Sequence, residues 1–293
     1  MTRDPAAPLR SVLYVPASNP KALAKIGTLA ADAVILDLED AVAPEEKAAA
    51  RERLCAFFAA KPDQPALLVI RINALNSEWG SSDLEAVKAC RPDAVLLPKV
   101  DTPRDILAAD DALDEIDASK RIGVWAMIET PKAMLNIGAI AALGRDRAAR
   151  LGCFVAGTND LAKDTGIRMT PDRRYLVPAL SQMVMAARAG SLAVLDGVSN
   201  DFRDLDAFAA ECREARNMGF DGKTLIHPAQ IASTNAIFAP NPKELAEAQA
   251  IVDAFADQPG KGVIQINGRM VERLHLAQAE RLLAGDKEGN EQP

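Results

Sequence analysis

Histidine is nearly missing from this chain, with only His227 and His275 among 293 residues. A site built from several imidazoles and a His-rich proton relay are therefore excluded, and carboxylates must carry much of any chemistry. Aromatic residues are also scarce, at 4%, which leaves few platforms on which bases could stack. The net charge of −7 and a pI near 5.1 further oppose a nucleic-acid footprint. The four cysteines, Cys55, Cys90, Cys153 and Cys212, lie far apart and form no CxxC pair, so neither a zinc site nor a disulfide framework is indicated and a reducing compartment is expected. No apolar run approaches the roughly 20 residues of a membrane span, and the opening MTRDPAAPLR has no apolar signal core. The expectation is a soluble, cytoplasmic protein with no nucleic-acid and no membrane partner. GxGxxG and Walker A sequences are absent too, which removes the usual signs of an open nucleotide-binding sheet.

What remains is a small-molecule enzyme with ample apolar content, 49% hydrophobic against 26% charged. That suffices for one large barrel or two ordinary domains. An anionic substrate would be repelled by the mean field of such a protein and needs local cations. Short aliphatic runs recur at 11–15, 33–38, 67–72, 94–100, 122–128, 152–157, 192–196 and, more weakly, 222–226. Nearly all are continuous rather than alternating, as in parallel strands covered on both faces. Helix-like stretches rich in Ala, Leu, Glu, Lys and Arg lie between them, at 20–30, 44–60 and 207–219 among others. Eight such units predict an α/β fold, a closed (β/α)₈ TIM barrel over 1–240. Residues 241–293 then read as an extension: a helix at 243–256, a QPGKG linker, a hairpin at 263–271 turning on Asn267-Gly268, and a last helix at 272–284. It is readable as a lid, an oligomer arm or a stabilising cover.

Barrel enzymes place their chemistry at the carboxyl ends of strands, so polar residues that end an apolar run are informative. The second run enters Asp37, Glu39 and Asp40, whose like charges need a cation, a proton or hydrogen bonds, or which serve simply as cap and loop acceptors. The third carries Arg71 and ends in Asn73. Its planar guanidinium suits a carboxylate or enolate, or else pairs with the nearby acids. Lys99, after the fourth, reads as a solvated charge more readily than as a site residue. The fifth ends in Glu129, followed by Thr130-Pro131 as a helix cap and first-turn proline. The sixth leads into Thr158, Asn159 and Asp160. Two carboxylates on adjacent strands, completed by water and a bidentate substrate, form the hard octahedral environment of Mg²⁺, although Asp160 alone also reads as a helix cap. His227, after the eighth run, stands near the mouth to bind substrate, orient a loop or satisfy backbone groups, and His275 reads as helix surface.

Taken together, RSVLYVPASNP, AVILDLEDAV, RIN, MIETPKA, AGTNDLAKD, GVSND and GFDGKTLIHPAQI resemble, in order and over most of the chain, the citrate lyase β-subunit and malyl-CoA lyase family of HpcH/HpaI-type aldolases. The resemblance implies a phosphoenolpyruvate/pyruvate-type barrel, Mg²⁺ (or Mn²⁺) as cofactor, and a homotrimer or hexamer. It implies Glu129 and Asp160 as metal ligands, with Glu129 also beside the substrate, and Arg71 as the catalytic, substrate-binding arginine. Glu39, Asp40 and His227 stand as supporting residues around them. Where the family reads GKMID and lends an acid/base aspartate to a neighbouring subunit, this chain reads GRMVE and places Glu272. The activity so implied is reversible Claisen-type cleavage of a citryl-, malyl- or citramalyl-CoA-like thioester to acetyl-CoA, or a homologue, and a 2-oxo acid. Hydrolysis of a malyl-CoA-type thioester at the same site, a role as the β-subunit of a citrate lyase complex acting on an acyl-carrier-protein thioester, and a CoA-independent aldolase are the alternatives. Arg10, Lys21 and Lys25, near the first strand, are the candidates for CoA contact.

Overall fold

The aliphatic runs become eight parallel strands that pair in sequence order and close on themselves. These are β1 (Ser11–Pro16), β2 (Ala33–Asp37), β3 (Leu67–Arg71), β4 (Ala94–Leu97), β5 (Gly123–Ile128), β6 (Leu151–Ala156), β7 (Ala193–Asp196) and β8 (Gly222–Leu225). Closure comes from β1 pairing with β8, Val12 opposite Thr224. The structure, a computed structural model, describes residues 8–60, 66–146 and 148–290, without the side chains of 285–290. The reading of the first seven residues therefore lies outside the described part.

The helices are α1 (Pro20–Leu23), α2 (Lys47–Ala59), α3 (Gly80–Cys90), α4 (Pro103–Glu115), α5 (Pro131–Ala142), α6 (Thr158–Thr165), α7 (Val177–Gly190), α8 (Leu205–Met218), α9 (Ile231–Phe238), α10 (Pro242–Ala256) and α11 (Arg273–Asn290). The long helix expected at 20–30 is not formed. It breaks into α1 and a 3₁₀ turn at Ile26–Thr28, where Gly27 and Thr28 are weak helix formers. The strand expected to reach residue 100 stops at Leu97, because Pro98 lacks an N–H for the ladder and Lys99 turns to φ 52. No described helix is long and apolar enough to cross a membrane.

Side chains alternate across a strand, so every second residue points into the barrel. Val12, Ile35, Val69, Leu96, Trp125, Met127, Val155 and Leu195 belong to one buried cluster. The same alternation continues to the carboxyl ends of the strands. It carries Tyr14, Asp37, Arg71 and Glu129 inward above that apolar plug, so the strand period that builds the core also delivers the polar residues to one end of it.

Residues Leu9–Ala236 form one compact unit and those from Ile237 onward belong to a second. Within the second, Asn241 and Glu244 close a capping box at the start of α10. Strands β9 (Val263–Ile266) and β10 (Arg269–Glu272) pair antiparallel. Asn267 and Gly268 turn between them, both at positive φ (49° and 78°), as a two-residue type I′ turn requires. Phe255, Ile264 and Val271 make the local core.

Candidate active site

Arg71 and Asp37 are direct register partners on β3 and β2, and both are nearly fully buried. The guanidinium grips the carboxylate through Nε–Oδ1 (2.7 Å) and Nη2–Oδ2 (2.5 Å). Its Nη1 reaches Glu39 Oε2 at 2.9 Å and Met127 Sδ at 3.6 Å, while the plane lies 5.0 Å from the Tyr14 ring centroid. Burial works against the positive charge, but the Asp37 hydrogen bonds and the surrounding acids outweigh it and raise the pKa above its ordinary value. Glu39 behaves oppositely. Burial pushes its carboxyl up to about 7 despite Arg71, and Asp40 adds to the rise. Of the two possibilities read for Arg71, the structure shows the pairing with the acidic cluster, and the residue also lines the cavity described below.

The DLED loop that carries these acids is pinned from behind. Asp37 also accepts from the N–H groups of Glu39 (2.9 Å) and Ala41 (3.2 Å). Buried Lys47, from α2, donates to the carbonyls of Leu38 and Glu39 and to Asn73 Oδ1 at 2.7 to 3.0 Å. Asn73 in turn donates to Asp83 of α3, which Arg51 of α2 also holds. Lys47 and Asp83 carry no sequence signal of this role, since both sit inside ordinary helical stretches.

Glu129, almost fully buried, follows β5. Thr130 caps α5 through Ala133 N at 2.9 Å with Pro131 in the first turn, the exit read from the sequence. Glu129 Oε1 accepts the Lys99 N–H at 2.7 Å, whereas Oε2 is buried without a partner. Burial raises its pKa, against the opposing pull of Lys99. Gly157, at the end of β6, is packed so closely that a Cβ there would lie 2.3 Å from Glu129 Cβ and 2.6 Å from Oε2. Asp160 is not the cap of α6. Gly157 occupies that position, and Asp160 sits inside the first turn, where a carboxylate is favoured by the helix dipole. Its Oδ1 accepts from Lys99 Nζ at 3.0 Å, and the same ammonium stands 3.5 Å from Glu129 Oε1. Lys99, read as a solvated charge, thus joins the two carboxylates.

A cavity of about 320 Å³ opens at this end of the barrel, lined by Tyr14, Asp37, Asp40, Arg71, Gly157 and Asp160 with Val198 after β7 and Thr224 of β8. The structure therefore places Arg71, Asp40 and Asp160 on this cavity, with Glu39 bound to Arg71 and Glu129 packed against Gly157 in its wall. His227 serves the loop: its Nδ1 accepts Ala229 N at 3.1 Å and its ring stacks on Phe202 at 4.6 Å. Arg10 does not fit a CoA contact. It precedes β1, at the opposite end of the strand from the site, and is bound to Asp32 through two side-chain hydrogen bonds of 2.9 Å. Lys21 and Lys25 are exposed, on and just after α1. In the second unit, Glu272 ends β10, and its N–H is accepted by His275 Nδ1 at 2.9 Å. His275 is therefore a helix-start acceptor rather than plain surface.

Behind the rim, Lys223 is fully buried against Asp196 and Glu211, both at 2.6 Å, and Arg173 holds Asp196 at 2.8 Å. Lys223 also donates to Gly197 O. Gly197 lies tight against Thr158, where a Cβ would come within 2.5 Å of Oγ1, so this cluster backs the start of α6.

Among the described residues no group of three or more His, Cys, Asp or Glu side chains converges as a ligand set. Two carboxylates, Glu129 and Asp160, share the Lys99 ammonium, and Glu129 offers a buried oxygen without a partner. That pairing fits a hard divalent cation whose remaining positions are filled by water and substrate oxygens.

Residues 10–228 match the family model described as HpcH/HpaI aldolase/citrate lyase. A (3S)-malyl-CoA thioesterase of Cereibacter sphaeroides (strain KD131 / KCTC 12085) is 44% identical over 281 residues, covering 95% of each chain. Citrate lyase subunit beta of Escherichia coli (strain K12) is 33% identical over 293 residues, again 95% of each. The crystal structure of CitE from Mycobacterium tuberculosis in complex with magnesium, acetoacetate and coenzyme A is similar at a TM-score of 0.77 and 30% identity, covering 96% of this chain and 99% of that one.

Proposed function

The chain belongs to the HpcH/HpaI aldolase/citrate lyase family, and we propose that it is a magnesium-dependent enzyme hydrolysing the CoA thioester of a small hydroxy-dicarboxylic acid of the malyl type. The observation that carries this reading is that Arg71 and Asp160 line one small cavity while the unpartnered oxygen of Glu129 is packed against Gly157 in its wall. At about 320 Å³ the cavity takes a short acyl head, while the far bulkier CoA must stay outside it.

Glu129 and Asp160 would hold the ion. When bound, Mg²⁺ supplies Lewis-acid stabilisation to the hydroxyl and carboxylate oxygens of the acyl head. Asp37 fixes the plane of Arg71, so that the remaining Nη2 N–H of the guanidinium is held ready for a thioester carbonyl oxygen as negative charge develops there. Glu39, with its pKa near 7, is suited to exchange a proton at neutral pH and to take one from an attacking water. The new bond joins that water oxygen to the carbonyl carbon, the carbon–sulfur bond breaks, and the thiol leaves with a proton. Glu272, by family resemblance, adds an acid/base group from a neighbouring copy in a homotrimer or hexamer. A cytoplasmic location belongs to the same reading.

The sequence motifs alone put carbon–carbon cleavage first. The 44% identical thioesterase, set against the 33% identical citrate lyase subunit, moves hydrolysis ahead. Cleavage is the second reading, favoured by that subunit and by the magnesium, acetoacetate and coenzyme A complex of CitE. Turnover of a panel of hydroxyacyl-CoA thioesters with Mg²⁺, followed by mass spectrometry, tests both. A panel with no reacting member sinks them together, and activity on free CoA esters also removes the acyl-carrier-protein subunit reading.

A further inference from the structure

We propose that Lys99 is a displaceable counter-cation of the metal site: its ammonium neutralises Glu129 and Asp160 in the metal-free protein, and a divalent ion binding to those carboxylates drives it out. The inference rests on the assignment of these two acids as the ion's ligands.

The first support is position. Among the described residues the ion pairs of Glu129 and Asp160 are both made with Lys99, at 3.5 Å and 3.0 Å. One ammonium thus occupies the place where a divalent ion would bring its charge, and like charges that close repel strongly in a partly buried setting. The second support is the division of labour within the residue. The Lys99 backbone, at φ 52, delivers its N–H to Glu129 Oε1 at 2.7 Å. That contact orients the carboxylate whether or not the side chain stays. The side chain itself is 40% exposed and rides on a flexible four-carbon stem, so it can leave without disturbing the peptide.

The third support is a destination. A separate cavity of about 460 Å³ is lined by Lys99 together with Asn73, Asn76, Asp101, Asp105 and Lys132. Asp101 there already holds the Lys132 ammonium at 3.4 Å and Asp105 accepts from the N–H groups of Asp101 and Thr102, so what the cavity offers the displaced side chain is polar, open space. Lys99 then keeps the two acids compatible before metal arrives, at the cost of weaker metal binding.

The test is titration of the metal-free full chain with Mn²⁺, read by electron paramagnetic resonance, together with thermal melts in chelator and in saturating Mn²⁺. Lys99→Met and Lys99→Asn both remove the charge, and Asn also tolerates the left-handed backbone, so one covers a folding failure of the other. Each is expected to bind Mn²⁺ about three- to tenfold more tightly than the wild type, the effect of removing two partly exposed ion pairs. Each should also melt below the wild type in chelator, with the gap closing in saturating Mn²⁺, and Lys99→Arg should return affinity to the wild-type range. Unchanged or weaker Mn²⁺ binding in the neutral variants overturns the role of Lys99 alone. A wild type that binds no Mn²⁺ overturns the metal assignment beneath it.

Discussion

Arg71 and Asp37 face each other across neighbouring strands and close a two-point fork, Nε to Oδ1 and Nη2 to Oδ2. A lysine cannot reproduce that fork, because its ammonium is a point charge with no plane to fix. Arg71→Lys is therefore expected to lower kcat by about 10²- to 10³-fold, the usual effect of losing a preorganised donor to a developing oxyanion. Steady-state kinetics check this, and a lysine variant with wild-type kcat removes Arg71 from the chemistry.

Gly157 has no room for a side chain beside Glu129. Gly157→Ala must push the carboxylate or the end of β6 aside, which costs about 1–3 kcal/mol of stability as overpacking. Because the displaced group is the proposed metal ligand, Mn²⁺ affinity should fall as well. Urea melts and a metal titration of the variant measure the two effects, and wild-type affinity would show that Glu129 is not held where the site needs it.

Glu39 gives a pH signature with a definite sign. Its folded pKa, about 7, lies above the ordinary 4.5, so the native state binds this proton more tightly than the unfolded chain does. The resulting stabilisation is full at pH below 4.5 and is lost as pH rises through about 7. Arg71 opposes the effect, whereas Asp37 and Asp40 reinforce it. Glu39→Gln should therefore show a smaller loss of stability than the wild type between about pH 5 and about pH 7.5 in denaturant melts. Equal losses in the two proteins would contradict the raised pKa.

Glu272 is tested by separating binding from turnover. Glu272→Gln keeps the size and hydrogen-bonding reach of the side chain but removes its acid/base capacity. Mn²⁺ affinity should match the wild type while turnover falls by about 10²-fold or more, within the range of general acid–base catalysis. Full activity in the variant would return Glu272 to a helix-start residue beside His275.

The barrel was legible because parallel strands buried on both faces must be continuously aliphatic, as in AVILDL and LLVIRI. Glu129 was legible from its Thr-Pro exit, which fixes a strand end and a helix start within three residues. The grip of Arg71 on Asp37 was open in sequence because it depends on strand register, which residue types do not encode over 34 positions. Lys99 was misread for a related reason. Nothing in LLPKVD announces a left-handed backbone at the lysine, and without it the amide would not reach Glu129. Lys47, Asp83 and Lys223 act through tertiary contacts of helices and the outer strand face, where sequence shows only ordinary polar residues.

Product identification with (3S)-malyl-CoA tests the central claim most directly. The purified chain is incubated with this thioester and Mg²⁺, and the products are separated and weighed by mass spectrometry. Hydrolysis at the Glu129–Asp160–Arg71 site predicts free CoA and malate, with turnover lost on chelation. Acetyl-CoA and glyoxylate as the products would contradict it and establish carbon–carbon cleavage instead.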